Sequence, residues 1–428
     1  MARTAIIVGA GVAGLTAAYR LLQQGYNVQV FERSPFVGGQ LVTTTVGGEP
    51  IECYYHHAFT SDTALWALCE ELGIMDQVQW LPSTMGYYSQ GKLYPFGTPK
   101  SLIGFSPLGF WGRLQFVVSA LWLTHVASQA YTEGFGVKEW FEQKGFKKAW
   151  DVIWKPLFHL KFADSCDTIS LTWLWGKFRT RGKSRKTGGA KEVLAYMKGS
   201  FGVLATTLAA KIAQLGGQIQ LGQGVDRITP QPDGRFEVQV GSQTLMADVV
   251  ISTVSSDLLA KSAPWSAKTQ ALLATYTYKA AMCMMLVSDR PWFDLYWINI
   301  GDTTLPFGGV IEHTHFVPAT HYAGKHVVYL SRYLDENHPL FSAPEAEVVA
   351  QFMAGLKTLN PAFDEVQVSE IKLFRQRNAQ PVVPKGYVPP SMATEFPHFY
   401  WISTHHTYPF DRGINFAIEL AELCTKPL

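Results

Sequence analysis

The stretch from Thr4 to Glu32, TAIIVGAGVAGLTAAYRLLQQGYNVQVFE, decides the fold. Thr4 to Val8 is a short apolar run that reads as a buried strand, and Gly9-Ala10-Gly11-Val12-Ala13-Gly14 follows it directly. Leu15, Ala18, Leu21 and Leu22 then recur at helical spacing on one face, until Gly25 ends the helix. A second strand, Asn27 to Phe31, finishes at Glu32. Strand, glycine turn, helix, strand and acid, in that order, form a dinucleotide-binding fingerprint. Gly9 permits the sharp turn out of the strand, Gly11 lets backbone approach a pyrophosphate, and Gly14 lets the helix lie close to the strand. The helix start, with Val12 and Ala13 in its first turn, offers free N–H groups and partial positive charge to phosphate. Glu32 is placed to accept hydrogen bonds from the adenosine ribose and to repel a 2′-phosphate, which argues against NADP.

Immediately downstream, Glu32-Arg33-Ser34-Pro35-Phe36-Val37-Gly38-Gly39-Gln40 resembles the ExxxxxGG[RQ] extension of FAD enzymes in the flavin amine oxidase superfamily, which includes protoporphyrinogen oxidases and phytoene desaturases. The resemblance covers the chain in outline and implies FAD as cofactor, with Arg33, Gly38, Gly39 and Gln40 extending its cradle. It implies an α/β fold: a Rossmann-type FAD-binding domain with an α+β substrate domain and a helical insertion. The expected segments are 1–74, 196–260 and 386–428 for the FAD-binding domain, 75–195 for a mainly helical substrate or membrane-facing insertion, and 261–385 for the substrate sheet. By the same resemblance Val225 contacts adenine through its backbone, and Gly413, Ile414 and Asn415 lead into a helix whose start faces the flavin pyrimidine edge. A helix start there stabilises the negative charge of a reduced flavin. One departure stands out: the usual Gly-Asp after the last strand is Ser403-Thr404, so the partner of the ribityl chain is left open.

Away from the cradle, Tyr55, His56 and His57 lie where the superfamily brings a segment past the flavin ring, and are the candidates to orient substrate or to act as acid or base. Met282, Met284 and Met285 around Cys283 read as core, with a flexible tunnel wall as the alternative. From Leu114 to Ala127 the chain is nearly all apolar with aromatic flanks, too short for the ~20 residues that span a bilayer. It reads as a buried helix or as one lying in a membrane interface. Lys177 to Lys191 carries Lys177, Arg179, Arg181, Lys183, Arg185, Lys186 and Lys191 and no acid. A solvated loop is one reading; the other has Arg179, Arg181 and Arg185 gripping an anionic substrate head or anionic lipid.

Composition sets the limits. A chain of 428 residues exceeds one compact core, and 47% apolar with 13% aromatic residues supports large ones. A net charge of +2 gives no reason to expect nucleic acid. Five scattered cysteines without ligand spacing argue against metal and against a disulfide framework. The chain enters a strand at once, without a cleavable leader, so the expected location is the cytoplasm or the inner face of a membrane. The resemblance then implies an FAD-dependent oxidoreductase that exchanges a hydride between flavin N5 and a largely apolar or amphipathic substrate, lipid-like, terpenoid or tetrapyrrole, with an unspecified electron acceptor. The alternatives are a non-redox flavin enzyme of the UDP-galactopyranose mutase type and a flavin-binding protein without turnover.

Overall fold

A computed structural model describes residues 2–185 and 192–428, with the side chains of 183–185 left undescribed. Its first layer is a five-stranded, wholly parallel sheet in the order Gln218–Leu221, Asn27–Glu32, Thr4–Val8, Val249–Ser252, Phe399–Trp401. Successive side chains of a strand point to opposite faces. Ala5, Ile7, Val249 and Ile251 therefore enter one core, beneath the helices Val12–Gln23, Gly202–Gln214 and Ile414–Thr425, while Ile6, Val8 and Val250 enter another. The second core is closed by the antiparallel strands Arg227–Pro230, Phe236–Val240 and Gln243–Ala247. A parallel sheet buried on both faces accounts for the unbroken apolar runs in the sequence.

The second layer is a seven-stranded sheet in the order Val368–Pro381, Tyr278–Ser288, His326–Leu334, Gly309–Glu312, Trp297–Ile300, Met85–Ser89, Lys92–Phe96. Two of these strands depart from the mainly helical reading of 75–195. Met85–Ser89 and Lys92–Phe96 form a hairpin across Gln90 and Gly91, both at positive φ, and join the sheet through Trp297–Ile300. Helices dominate only from Pro99 onward. Met282, Met284 and Met285 lie fully buried within this sheet's cores and do not line the main cavity.

The apolar stretch is buried only at its end, where Leu123 and Ala127 join a core and Trp122 stacks on Trp140. Gly109–Leu121 buries only Gly112 and Ser119, while Phe110 and Trp111 are 71% and 72% exposed and Leu114, Val117, Val118 and Leu121 are exposed beside them. Phe116 alone of the large side chains is turned inward, stacked on Trp154. Among the described residues no helix is long and apolar enough to cross a membrane. Nor is the described part of the basic run a loop: it continues the helix Leu171–Arg185, and Lys186 and Lys191 lie outside the described residues.

Candidate active site

The glycine turn is shaped by two close approaches. Gly9 has φ +105°, and a Cβ on Gly14 would fall 2.0 Å from the Gly9 carbonyl oxygen, so the helix meets the turn with no room for a side chain. Gly38 N–H donates to the Ala10 carbonyl at 2.8 Å, which lays the second glycine pair on the first. Val12–Gln23 begins at Gly11 with no side-chain cap, so its first N–H groups stay free for a ligand. Glu32 ties the first glycine turn to the end of its own strand: Oε2 accepts from Ala10 N–H at 2.9 Å and Oε1 from Ser34 N–H at 2.8 Å. Sequence reading assigned Glu32 to a ribose and did not anticipate this backbone role.

A cavity of about 1000 Å³ runs from this cradle between the two sheets to a chamber walled by Trp154, Phe158, Phe162, Trp173, Leu174 and Phe178. Of the expected cofactor residues, Gly9, Gly11, Val12, Ala13, Glu32, Arg33, Gly38, Gly39, Gln40, Gly413, Ile414 and Asn415 line it. Tyr55, His56, His57 and Arg181 line it too. Gly14, Val225 and Arg179 are not in the lining. Gly14 is packed beneath the turn, and Val225 is buried in the second core. Arg179 donates to the Thr124 carbonyl at 3.0 Å and lies over the Trp175 ring. Arg185 falls among the undescribed side chains. Asn415 is engaged elsewhere: its Oδ1 accepts from Ala64 and Leu65 N–H, capping the helix Thr63–Leu72.

Tyr55, His56 and His57 are each hydrogen-bonded to neighbouring protein groups. Tyr55 donates to Ser331 Oγ at 3.1 Å and packs edge-on against Trp297, with burial pushing its phenol well above the usual range. His56 Nδ1 donates to the Tyr54 carbonyl, and His57 Nδ1 is hydrogen-bonded to Tyr296 Oη at 3.0 Å. Burial, then the charge of Arg412, pushes His56 down to about 4. Burial, with Arg181, His56 and Lys177 adding to it, pushes His57 down to about 3. Both imidazoles are neutral at pH 7.

A charged cluster that sequence reading missed sits opposite. Asp411 Oδ2 accepts from Lys161 Nζ at 2.9 Å and from Lys177 Nζ at 2.6 Å. Next to it Arg412 donates to Gln40 Oε1, Gln380 Oε1 and Tyr333 Oη. Burial alone would raise the Asp411 carboxyl, but Lys161 and Lys177 hold it well below the usual carboxylate range. Burial outweighs that carboxylate for Lys177, whose ammonium is pushed down to about 8. Lys161 and Asp411 are 250 positions apart, and no local pattern links them.

The fold and the cradle define a two-layer, dinucleotide-binding flavoprotein. Residues 12–422 match the family described as flavin containing amine oxidoreductase, and the chain belongs to that family. A candidate flavin-containing monoamine oxidase of Mycobacterium tuberculosis is 37% identical over 91 residues, 19% of this chain and 20% of that protein. The zeta-carotene desaturase of Zea mays is 24% identical over 263 residues, 54% of this chain and 45% of that one. The aligned part thus spans from a fifth to less than half of these relatives. Among solved structures, a candidate protoporphyrinogen oxidase from Exiguobacterium sp. 255-15 superposes with TM-score 0.80 at 16% identity, covering 100% of this chain and 98% of that one, a likeness of fold. FAD is the cofactor of this family, and the side-chain-free cradle, the uncapped helix start and the elongated cavity fit it.

Proposed function

We propose that this FAD-dependent oxidoreductase exchanges a hydride with a largely apolar, amphipathic substrate drawn from a membrane surface. The observation that carries the reading is the single cavity joining the glycine cradle to the aromatic chamber. Bound there, FAD would supply two-electron, hydride-level redox chemistry, and the chain's own residues would bind and orient the substrate beside it. Gly9, Gly11, Gly38, Gly39 and the helix start at Val12 would hold the dinucleotide, with Gly413 and Ile414 at its far end. Trp154, Phe158, Phe162 and Trp173 exclude water and hold an apolar body by area. His56, His57 and Tyr55 orient substrate as neutral walls: burial and neighbouring cations keep the two imidazoles uncharged at pH 7, and burial keeps the Tyr55 phenol protonated. Among the named relatives, the carotene desaturase and, by fold, the candidate protoporphyrinogen oxidase support this reading, whereas the monoamine oxidase points to an amine.

The exposed apolar face of Gly109–Leu121 supports attachment to a lipid surface. Lys148 is exposed close by, with its stem packed beside Gly112, which places one basic group at the edge of the apolar face, while Lys147 is paired with Asp151 at 2.6 Å. Phe116 on the inner side of this helix stacks on Trp154, a wall of the chamber, so one aromatic layer separates the lipid-facing surface from the cavity. The test is anaerobic: purified protein should be yellow with one FAD per chain, and its photoreduced form should be reoxidised by oxygen or a quinone. Folded, colourless protein that ignores added FAD would overturn the reading. So would a reduced flavin inert to every acceptor, which would leave the non-redox and turnover-free alternatives.

A further inference from the structure

The family is named for amines, yet the cavity wall has the wrong sign for one. Lys161 comes from the helix Lys155–Phe162, Lys177 from Leu171–Arg185, and Asp411 with Arg412 from the turn before Ile414–Thr425. All four line the main cavity. One Asp411 oxygen serves both ammonium groups, so a single negative charge faces three positive ones within one patch. Arg412 makes its side-chain bonds to Gln40, Gln380 and Tyr333, which are neutral. Trp173 offers its ring to both lysines, at 5.1 and 4.7 Å from its centroid, which orients the ammonium groups without neutralising them. Buried charge in excess is costly unless an opposite charge joins it. The dinucleotide phosphates have their own seat at the Gly9–Gly14 turn, and the lysines stand on helices of the aromatic chamber.

We propose that Lys161, Lys177 and Arg412, held in register by Asp411, seat an oxyanion head, carboxylate or phosphate, on an otherwise apolar substrate, and that the same patch turns away protonated amines. This deepens the hydride-transfer reading and rests on it. Planar Arg412 is fixed by three hydrogen bonds, and each lysine ammonium, which carries three donors, spends one on Asp411 while lying over the Trp173 ring, so donors remain for an oxyanion. Arg179, expected to grip such a head, is occupied at Thr124. Arg181, one helical turn beyond Lys177, lines the cavity and adds its field.

The holoenzyme is titrated, below micelle formation, with four probes of one chain length: laurate, dodecyl phosphate, dodecanol and dodecylamine. Flavin absorbance and protein fluorescence report binding. Laurate or dodecyl phosphate should bind at least about tenfold more tightly than dodecanol, the scale of a charge-assisted hydrogen bond, and dodecylamine should bind weakest. Lys177→Met should abolish the preference while leaving dodecanol affinity unchanged, and Lys177→Arg should keep it. Equal affinity of wild type for laurate, dodecyl phosphate and dodecanol would overturn the proposal with no variant needed. Equal weakening of all four probes in Lys177→Met would also overturn it and make the cluster a structural ion network. FAD content separates the two readings: protein without FAD refutes the oxidoreductase, whereas FAD-loaded protein blind to charge refutes the oxyanion seat alone.

Discussion

Glu32 stands at a junction of backbone turns, and its contribution to cofactor binding is in part architectural. Its carboxylate accepts from Ala10 and Ser34 N–H, so Glu32→Ala should loosen the first glycine turn and the bend after the strand, as well as remove the expected ribose partner. FAD affinity should fall by ~1–3 kcal/mol, measured by fluorescence titration of apoprotein. Gly14→Ala should be more severe, since a methyl group 2.0 Å from the Gly9 carbonyl cannot be accommodated without moving the helix start; folded protein should be recovered without flavin. Another buried residue contributes to pH dependence. Glu52 is fully buried, accepting from Tyr196 Oη and Phe201 N–H, and burial raises its carboxyl to about 7 from the ordinary 4.5. A raised folded-state value means the folded chain holds this proton more tightly than the unfolded one. Its stabilising contribution is complete below the unfolded value and is lost as pH rises through the folded one. Across that window, from about 4.5 to about 7, Glu52→Gln should flatten the fall in melting temperature relative to wild type. Parallel profiles for the two proteins would show that Glu52 does not titrate there.

Helical periodicity divides the basic run. In Leu171–Arg185, Trp173, Leu174, Lys177, Phe178 and Arg181 recur at the spacing of one helical face and line the cavity, while Arg179 falls on the other side against Thr124. Read as a string of charges the run looks like a solvated patch; read at 3.6 residues per turn it separates a cavity face from a packing face. Arg179→Gln should therefore leave probe affinity unchanged and cost stability through the lost bond to Thr124, by ~1–3 kcal/mol for a charged donor, read in denaturant titration. The apolar helix Gly109–Leu121 poses the opposite case. Its large side chains face outward, so changing Phe110, Trp111 and Leu114 to Gln should leave melting nearly unchanged while abolishing sedimentation with anionic liposomes. Wild-type protein that stays in the supernatant at low salt would remove the lipid reading of this face.

For the whole molecule, the site exists only where two layers meet. Cradle, chamber and basic cluster come from segments before 60, between 150 and 182, and after 400, so a ligand in the cavity ties them together. FAD binding should raise the melting temperature through mass action, by about 2.7 kcal/mol of stability at a free concentration near 100 times Kd. A chain whose melting is indifferent to FAD would not be using the cavity as inferred. Local signals carried the first half of this architecture. Residues 4–32 and 38–40 were legible because a phosphate-binding turn needs glycine at fixed offsets and a strand and helix at fixed sides, all within one short stretch. The C-terminal helix after Gly413 was legible through the family resemblance.

The hairpin of Met85–Ser89 and Lys92–Phe96 was not legible, because its pairing with Trp297–Ile300 lies more than 200 positions away and short strands have weak local patterns. Nor was the outward face of Gly109–Leu121, since an apolar helix reads the same whether it meets a core or a lipid. By itself, the sequence determined the cofactor class and the parallel sheet that presents it, because those depend on backbone conformation and near-neighbour spacing. The tertiary structure alone decided which charges share the cavity: Lys161 and Asp411 meet across 250 positions, and a Coulombic contact depends on distance in space and not along the chain.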